Sequence, residues 1–397
     1  MSYLIFLICL SLPAYLIRFS LFGIPTTLLE IIIYISFIIG LFNFKKAQRI
    51  NFKIWLPIML LLLAATISTL VSPDKLVALG QLKAYFVDPI LVVWLVLSFL
   101  KKEDFIWILS GLAGSSLIVS GFSLYQKIIG QVTDDERVVG IFGYSPNYVA
   151  LFLGPIIGMV LAHNLELMTK NIAVKDKNLK IVLGWLVVVI DFIAIYLSVS
   201  RGAFLALLAG LIFYLIIHFW NKIKQNFCLK ISLLVIIVIA IIAAWLVFRP
   251  NFLLSPEAGS RVTSSNNIRW QIWQTSIELI GNHPILGIGL GNYQNAFDLL
   301  THNRVNFSAY ITPLALSSHN IFLMFWLSTG LLGLIAFIWL LIIFFQKAFQ
   351  NLDKPIAVVL VTAMAILIFQ GFVDTPYFKN DLSLLFWLLF AFMLILN

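Results

Sequence analysis

Charge is what this sequence lacks most. Only 11% of its 397 residues are charged and 61% are hydrophobic, whereas a soluble domain carries roughly 25% charged residues. Together with a mean hydropathy of +1.03, that shortage excludes a water-soluble domain and leaves a polytopic membrane protein. Cysteine is nearly absent as well. Cys9 lies inside the first apolar run and Cys228 in a basic loop, so neither a disulfide framework nor a cysteine metal site is indicated. No Asp-x-Asp pair occurs, and the acidic run Asp134-Asp135-Glu136 reads as a solvated loop rather than a metal site. The formal charge of +9 would point to nucleic acid in a soluble chain. Here the lysines fall in short loops between apolar runs, where they set orientation in a membrane, so no nucleic-acid partner is expected.

What is present is a series of apolar runs long enough to cross a bilayer, each needing about 20 residues. Twelve are predicted, at 2–22, 26–43, 54–71, 80–100, 105–128, 147–164, 181–199, 203–220, 229–248, 319–345, 355–373 and 381–396. The first lacks a basic start and an Ala-x-Ala cleavage pattern, and so is kept as a span. Lys45, Lys46, Lys53, Lys101, Lys102, Lys170, Lys180, Lys222, Lys230, Lys347 and Lys354 mark alternate loops, which predicts that both termini are cytoplasmic. The opposite side is rich in arginine: Arg137, Arg201, Arg249, Arg261, Arg269 and Arg304. Arginine offers a fixed fork of donors suited to phosphate, although any one of them also serves as an interfacial anchor. The expected organisation is a single transmembrane domain over 1–397, with an external loop at 249–318 between spans nine and ten.

Four stretches carry candidate chemistry. Arg137 opens a Gly-rich loop that runs through Pro146 to Asn147, where Asn147 has a structural use at a helix start as well as a binding one. Ser198-Val-Ser-Arg201-Gly202 must be a tight turn, because the apolar runs on either side are together too long for one crossing. Asp191, ten residues earlier, is expected to make a structural polar contact within the membrane. From Ser264 to Ile280 the chain predicts an amphipathic helix lying at the interface, with Arg269 in its first turn and Ile272, Trp273, Ile277 and Ile280 on its apolar side. The following Gly287-Ile-Gly289-Leu-Gly291 reads as a close-packed turn, since nothing around it supplies a nucleotide-binding context. Finally, His319-Asn320 heads a helix on which Gly330 and Gly333 fall within about 40° of His319 at ~100° per residue. That stripe permits close helix packing, or a groove for a lipid chain.

In their order and spacing these stretches resemble the bacterial O-antigen ligase and O-antigen polymerase superfamily, from about Arg137 to the closing Asp374-Thr-Pro-Tyr-Phe-Lys-Asn segment. The resemblance implies an all-α, GT-C-like polytopic membrane protein. It further implies a metal-independent, cofactor-free glycosyltransferase that inverts configuration as it moves a glycan from undecaprenyl pyrophosphate to an acceptor hydroxyl at the external face of the cytoplasmic membrane. By the same resemblance Arg201, Arg269 and His319 are the catalytic candidates, the arginines on the pyrophosphate and His319 on the acceptor. Arg137, Asn147, Asn320, Trp273, Gly330 and Gly333 become substrate-binding candidates. The His319-Asn-x9-Gly330-x2-Gly333 signature favours a ligase, whose acceptor is a lipid or surface polymer; the alternative within the family is a polymerase, whose acceptor is another lipid-linked repeat. A lipid-linked glycan flippase or other transporter is the alternative from a different class. Transporters tend to show two related halves, whereas one long loop makes these halves unlike.

Overall fold

The computed structural model describes residues 1–21, 24–44, 52–133, 136–143, 145–169, 176–219, 265–302 and 316–396. The predicted span 229–248, Cys228, Asp134, Asp135, Arg249, Arg261, Arg304 and the lysines 45, 46, 170, 222 and 230 lie outside them. Among the described residues the chain is an all-α polytopic membrane protein with a single two-stranded hairpin. In chain order its elements are α1 (Ser2–Leu10), β1 (Arg18–Leu21), β2 (Ile24–Thr27), α2 (Leu28–Phe42), α3 (Phe52–Val71), α4 (Lys75–Leu82) and α5 (Asp88–Phe99). There follow α6 (Phe105–Ile128), α7 (Pro146–Thr169), α8 (Lys177–Ser198), α9 (Arg201–His218), α10 (Ser265–Asn282) and α11 (Tyr293–Thr301). The chain closes with α12 (Ile321–Gln350), α13 (Pro355–Gly371) and α14 (Asn380–Ile395). Among the described residues seven segments are long and apolar enough to cross a membrane, namely α3, α4 with α5, α6, α7, α8, α9 and α12, while α2, α13 and α14 are shorter apolar helices.

The first predicted span is corrected. Instead of one helix over 2–22, α1 ends at Leu10, a 3-10 turn holding Pro13 follows over Leu12–Leu16, and the β1–β2 hairpin comes next. Proline has no N–H to continue the helical ladder. Thr27 then starts α2 with a capping box, its side chain accepting from the Glu30 amide while Glu30 accepts from the Thr27 amide.

Burial follows from how apolar each helix is around its circumference. The α13 and α14 segments carry apolar side chains on all faces and are buried along nearly their whole length, as such helices must be. Around them pack α7, α9 and α5, with α8 and α6 outside α7. Asp191 makes the polar contact expected of it, accepting from Ser120 Oγ across α6 and α8 at 2.5 Å.

The insertion between α9 and α12 is fixed to the bundle through a break in α12. Gly330 there has φ 70° and ψ −177°, which interrupts the helical hydrogen bonds. Three of the groups around the break find partners outside the helix, as buried backbone groups tend to. Leu331 N donates to Ile285 O (2.9 Å), Leu327 O accepts from Ile288 N (2.8 Å), and Ser328 O accepts from Ser68 Oγ. Trp326 Nε1 donates to Pro284 O at 2.7 Å. The close-packed turn is as expected, with Gly287, Gly289 and Gly291 all at positive φ. The turn lies deeper than the start of α12. Asn320 is tied to Phe372, at the end of the 17-residue α13, and residues 285–288 meet α12 about seven to ten residues further along it. The segment therefore descends along α12 by on the order of 10–15 Å at 1.5 Å per residue.

Candidate functional site

Three chain segments meet at one end of the bundle, around the loop between α13 and α14. The first is the start of α12. Asn320 caps this helix, its Oδ1 accepting from Phe322 N (3.0 Å) and Leu323 N (3.1 Å), while its Nδ2 donates to Phe372 O (3.1 Å). Asn320 thus spends both lone pairs of Oδ1 and one N–H of Nδ2 in holding the helix start against the loop, which leaves one N–H. Replacing it with Ala is expected to cost about 1 kcal/mol for the cap, read as a lower thermal midpoint of the detergent-solubilised protein.

His319 precedes the cap and lies outside the helix, with φ 46°. A non-glycine residue in that region is uncommon and carries strain, of order 1–3 kcal/mol. Its carbonyl accepts from Trp273 Nε1 of α10 at 3.1 Å. Its Nδ1 lies 3.2 Å from Asp374 Oδ1, with the carboxylate side chain only 9% exposed. An ionised carboxylate is an acceptor, so Nδ1 donates to it, and whenever the ring is neutral the lone pair is on Nε2. Burial raises the Asp374 carboxyl, but the His319 charge, the His319 hydrogen bond, Arg269 and the Thr375 amide together outweigh it and hold Asp374 below the usual carboxylate value. Asp374 thus remains an anion, and the pair is an imidazole oriented by a carboxylate.

Arg269 reaches the same carboxylate electrostatically from α10. It is the fifth residue of α10 rather than a member of its first turn, so the helix start and the guanidinium are separate features. The apolar side of α10 is formed by the buried Ile272, Leu279 and Ile280, whereas Ile277 is exposed. The last segment is the α8–α9 turn. Val199 has φ 50°, and Arg201 is the first residue of α9, exposed at a helix start where unpaired amides favour an anion. The next residue, Gly202, packs so closely on Val373 that a Cβ would come within 2.9 Å of its Cγ2. Arg201, Arg269 and His319 are therefore brought to one loop, 372–375, from three separate elements.

The other candidates are drawn into the framework. Arg137 Nε donates to Ser198 O at 2.7 Å and its Nη2 to Asn147 Oδ1 at 3.0 Å, which ties the α6–α7 loop to the α8–α9 turn. Trp273 spends its indole N–H on His319. Gly330 and Gly333 are packing positions. A Cβ on Gly330 would lie 2.4 Å from Ile285 O, and one on Gly333 would lie 1.9 Å from Thr329 Oγ1. Protein thus fills the space that a lipid groove would need, and the supposed stripe is no continuous helix face, because His319 is non-helical and Gly330 interrupts the turn. An apolar cleft of about 330 Å³ lies elsewhere, between α7, α8, α9 and α13, lined by Leu161, Phe192, Phe204, Leu208 and Tyr214 among others. It opens one turn along α9 from Arg201.

Asp374 is the residue that sequence reasoning passed over, having noted it only as the start of a closing segment. The available signal was an ionisable residue at the boundary of two apolar runs. Among the described residues no three His, Cys, Asp or Glu side chains gather as a metal-binding group. Residues 186–338 match a family model described as O-antigen ligase. The matched region contains Arg201, Arg269 and His319, begins later than Arg137 and ends before Asp374. No curated protein matches this chain.

Proposed function

We propose that this member of the O-antigen ligase superfamily is a membrane glycosyltransferase, moving a glycan from undecaprenyl pyrophosphate to an acceptor hydroxyl at the external face of the cytoplasmic membrane. The observation that carries this function is the convergence of Arg201, Arg269 and a carboxylate-oriented His319 on the 372–375 loop.

In the proposed step the acceptor O–H loses its proton to His319 Nε2 while its oxygen attacks the anomeric carbon. The bond from that carbon to the pyrophosphate oxygen breaks on the opposite side, which inverts the configuration. The leaving pyrophosphate gains negative charge, and two arginine forks beside one loop are suited to stabilise it. The apolar cleft beside α9 is suited to the polyprenyl chain, since it is concave, apolar and close to Arg201. Lysines in alternate loops favour the orientation that puts this end of the bundle outside.

Purified protein and a synthetic undecaprenyl pyrophosphate glycan provide the test. Arg201→Ala and Arg269→Ala are each expected to lower turnover by roughly 10²–10³-fold, the usual effect of removing one donor to a developing anion. Wild-type turnover in both variants refutes the assignment. Activity lost to EDTA and restored by Mg²⁺ or Mn²⁺ refutes independence from metal. Transfer to a second acceptor identifies a ligase, and a ladder of lengthening lipid-linked products identifies a polymerase.

A further inference from the structure

A proline interrupts the apolar segment formed by α4 and α5, and the group it releases is taken up by the loop that carries Asp374. Pro89 has no N–H to give the Tyr85 carbonyl four residues earlier, and its ring crowds that carbonyl. The chain accommodates this with a π-helical turn over Lys83–Val87, where the Asp88 amide donates to Lys83 O, five residues back. Such turns are rare within helices and are frequent at functional sites. The Tyr85 carbonyl accepts instead from the hydroxyl of Tyr377, at 2.9 Å and 292 residues away in sequence. Tyr377 lies in the loop between α13 and α14, three residues after Asp374.

The phenol makes one further bond, accepting from Trp387 Nε1 of α14 at 2.9 Å. Tyr377 is fully buried. Its ring is enclosed by Phe86, Phe325, Phe378 and Phe386, with centroids 4.7–5.9 Å away. Burial pushes the phenol above the ordinary tyrosine pKa, against the opposing Trp387 hydrogen bond, so the hydroxyl keeps its proton and stays a donor. A phenylalanine would fill the same slot among these rings. What tyrosine adds is a hydroxyl with a place for its proton, on Tyr85 O.

An unbroken series of hydrogen bonds runs from Tyr377 to the histidine. Tyr377 N donates to Thr375 O (2.9 Å), Thr375 N donates to Asp374 Oδ1 (2.9 Å), and the same oxygen accepts from His319 Nδ1 (3.2 Å). On its other side Asp374 is held by its own amide, which donates to Gln370 O at 3.0 Å. That bond belongs to the end of α13, whereas Tyr377 ties the loop to a different part of the bundle. Resting on the transfer function above, we propose that Tyr377 is a positioning residue: its hydroxyl, captured by the carbonyl that Pro89 releases, fixes the 374–377 turn and so sets the Asp374 carboxylate on His319 Nδ1.

Two variants of the full chain, assayed with donor and acceptor varied separately, test this. Tyr377→Phe keeps the ring and removes only the hydroxyl. It is expected to lower kcat about tenfold, a part of the 10²–10⁴-fold range of a general base, while donor and acceptor KM stay within about twofold of wild type. Pro89→Ala alters no residue of the loop, but returns an N–H to the Tyr85 carbonyl so that the helix closes on itself and the phenol loses its acceptor. It is expected to lower kcat in the same way. In the double variant the two losses should not multiply, because each change alone removes the same bond.

Nitrogen-15 NMR of the histidine-labelled protein in detergent reads the same geometry without substrate, with His319→Gln identifying the His319 signal. At a pH where the ring is neutral, the wild type is expected to carry the proton on Nδ1, and both variants to show a mixture of the two tautomers. Wild-type kcat in Tyr377→Phe overturns the proposal. So does a lowered kcat with the His319 tautomer unchanged, the mark of a hydroxyl that only stabilises the fold, and so do losses that multiply in the double variant. If Tyr377→Phe fails to fold, Pro89→Ala decides by the same two readings. If no donor and acceptor yield product, the transfer assignment fails by itself, and the tautomer measurement still decides whether Tyr377 positions the pair.

Discussion

Asp374→Asn is expected to lower turnover by roughly 10³-fold while leaving donor binding near its wild-type value, a loss in the range for a misoriented general base. The carboxylate accepts from His319 Nδ1 at 3.2 Å and from Thr375 N at 2.9 Å through the same oxygen. An ionised Asp can only accept, so it fixes the proton on Nδ1 and leaves Nε2 basic. Asn carries two N–H donors as well as an oxygen. If the amide turns its nitrogen towards the ring, the histidine takes the other tautomer, with the proton on the nitrogen that faces the acceptor. Arg269 would at the same time lose a carboxylate within its electrostatic reach. Steady-state kinetics with separate variation of donor and acceptor checks the split, and wild-type kcat in the Asn variant refutes the role of the pair.

The pH dependence of Asp374 has a definite sign. Its folded-state pKa lies below the ordinary carboxylate value of about 3.9. Ionised Asp374 therefore adds stability that is fully present above that ordinary value, and that is lost as the pH falls through the depressed folded-state pKa. Between pH 5 and pH 8 the carboxylate stays charged, so thermal midpoints measured in that window should show no titration from this residue.

The sequence made legible those parts of the site whose signals are local. Arg201 at the start of α9 follows from two apolar runs that must turn between them, and α10 follows from its mixed polar and apolar pattern with a Gly-Asn-His-Pro stop. The twelve predicted runs were read from apolar length, and ten of them correspond to described helices. What stayed hidden depended on geometry that no short window contains. The stripe from His319 to Gly333 assumed a continuous helix, but His319 adopts positive φ and Gly330 breaks the ladder. Arg137 and Asn147 are polar groups of the kind that bind ligands, and only the fold brings them together to satisfy each other. Asp374 is 55 residues from its histidine. The return of the chain through α13 makes the pair, and a lone acidic residue after an apolar run gives no sign of its partner.

Gly330→Val is expected to destabilise the protein by on the order of 4 kcal/mol and to abolish activity without altering any residue at the His319 end. The backbone there has φ 70° and ψ −177°, a region open to glycine and strained for other residues by about 1–3 kcal/mol. A Cβ would also lie 2.4 Å from Ile285 O and 2.9 Å from Leu286 C. Those are backbone atoms, so relief requires the 285–288 segment to move away. Doing so breaks Leu331 N to Ile285 O and Ile288 N to Leu327 O, each contributing about 1 kcal/mol. The displaced segment is the lower anchor of α10, which carries Arg269 and Trp273, and Trp273 holds the His319 carbonyl. Gly333→Ala provides the contrast in function, because a Cβ there would lie 1.9 Å from Thr329 Oγ1 and 2.4 Å from Thr329 Cβ, a clash that side-chain rotation relieves only in part but that does not touch the 285–288 segment. It should therefore cost stability yet keep measurable activity. Thermal midpoints in detergent, together with proteolytic cleavage within residues 283–291, check both. A Gly330→Val variant with wild-type midpoint and wild-type turnover would mean that the break in α12 does not hold the insertion in place.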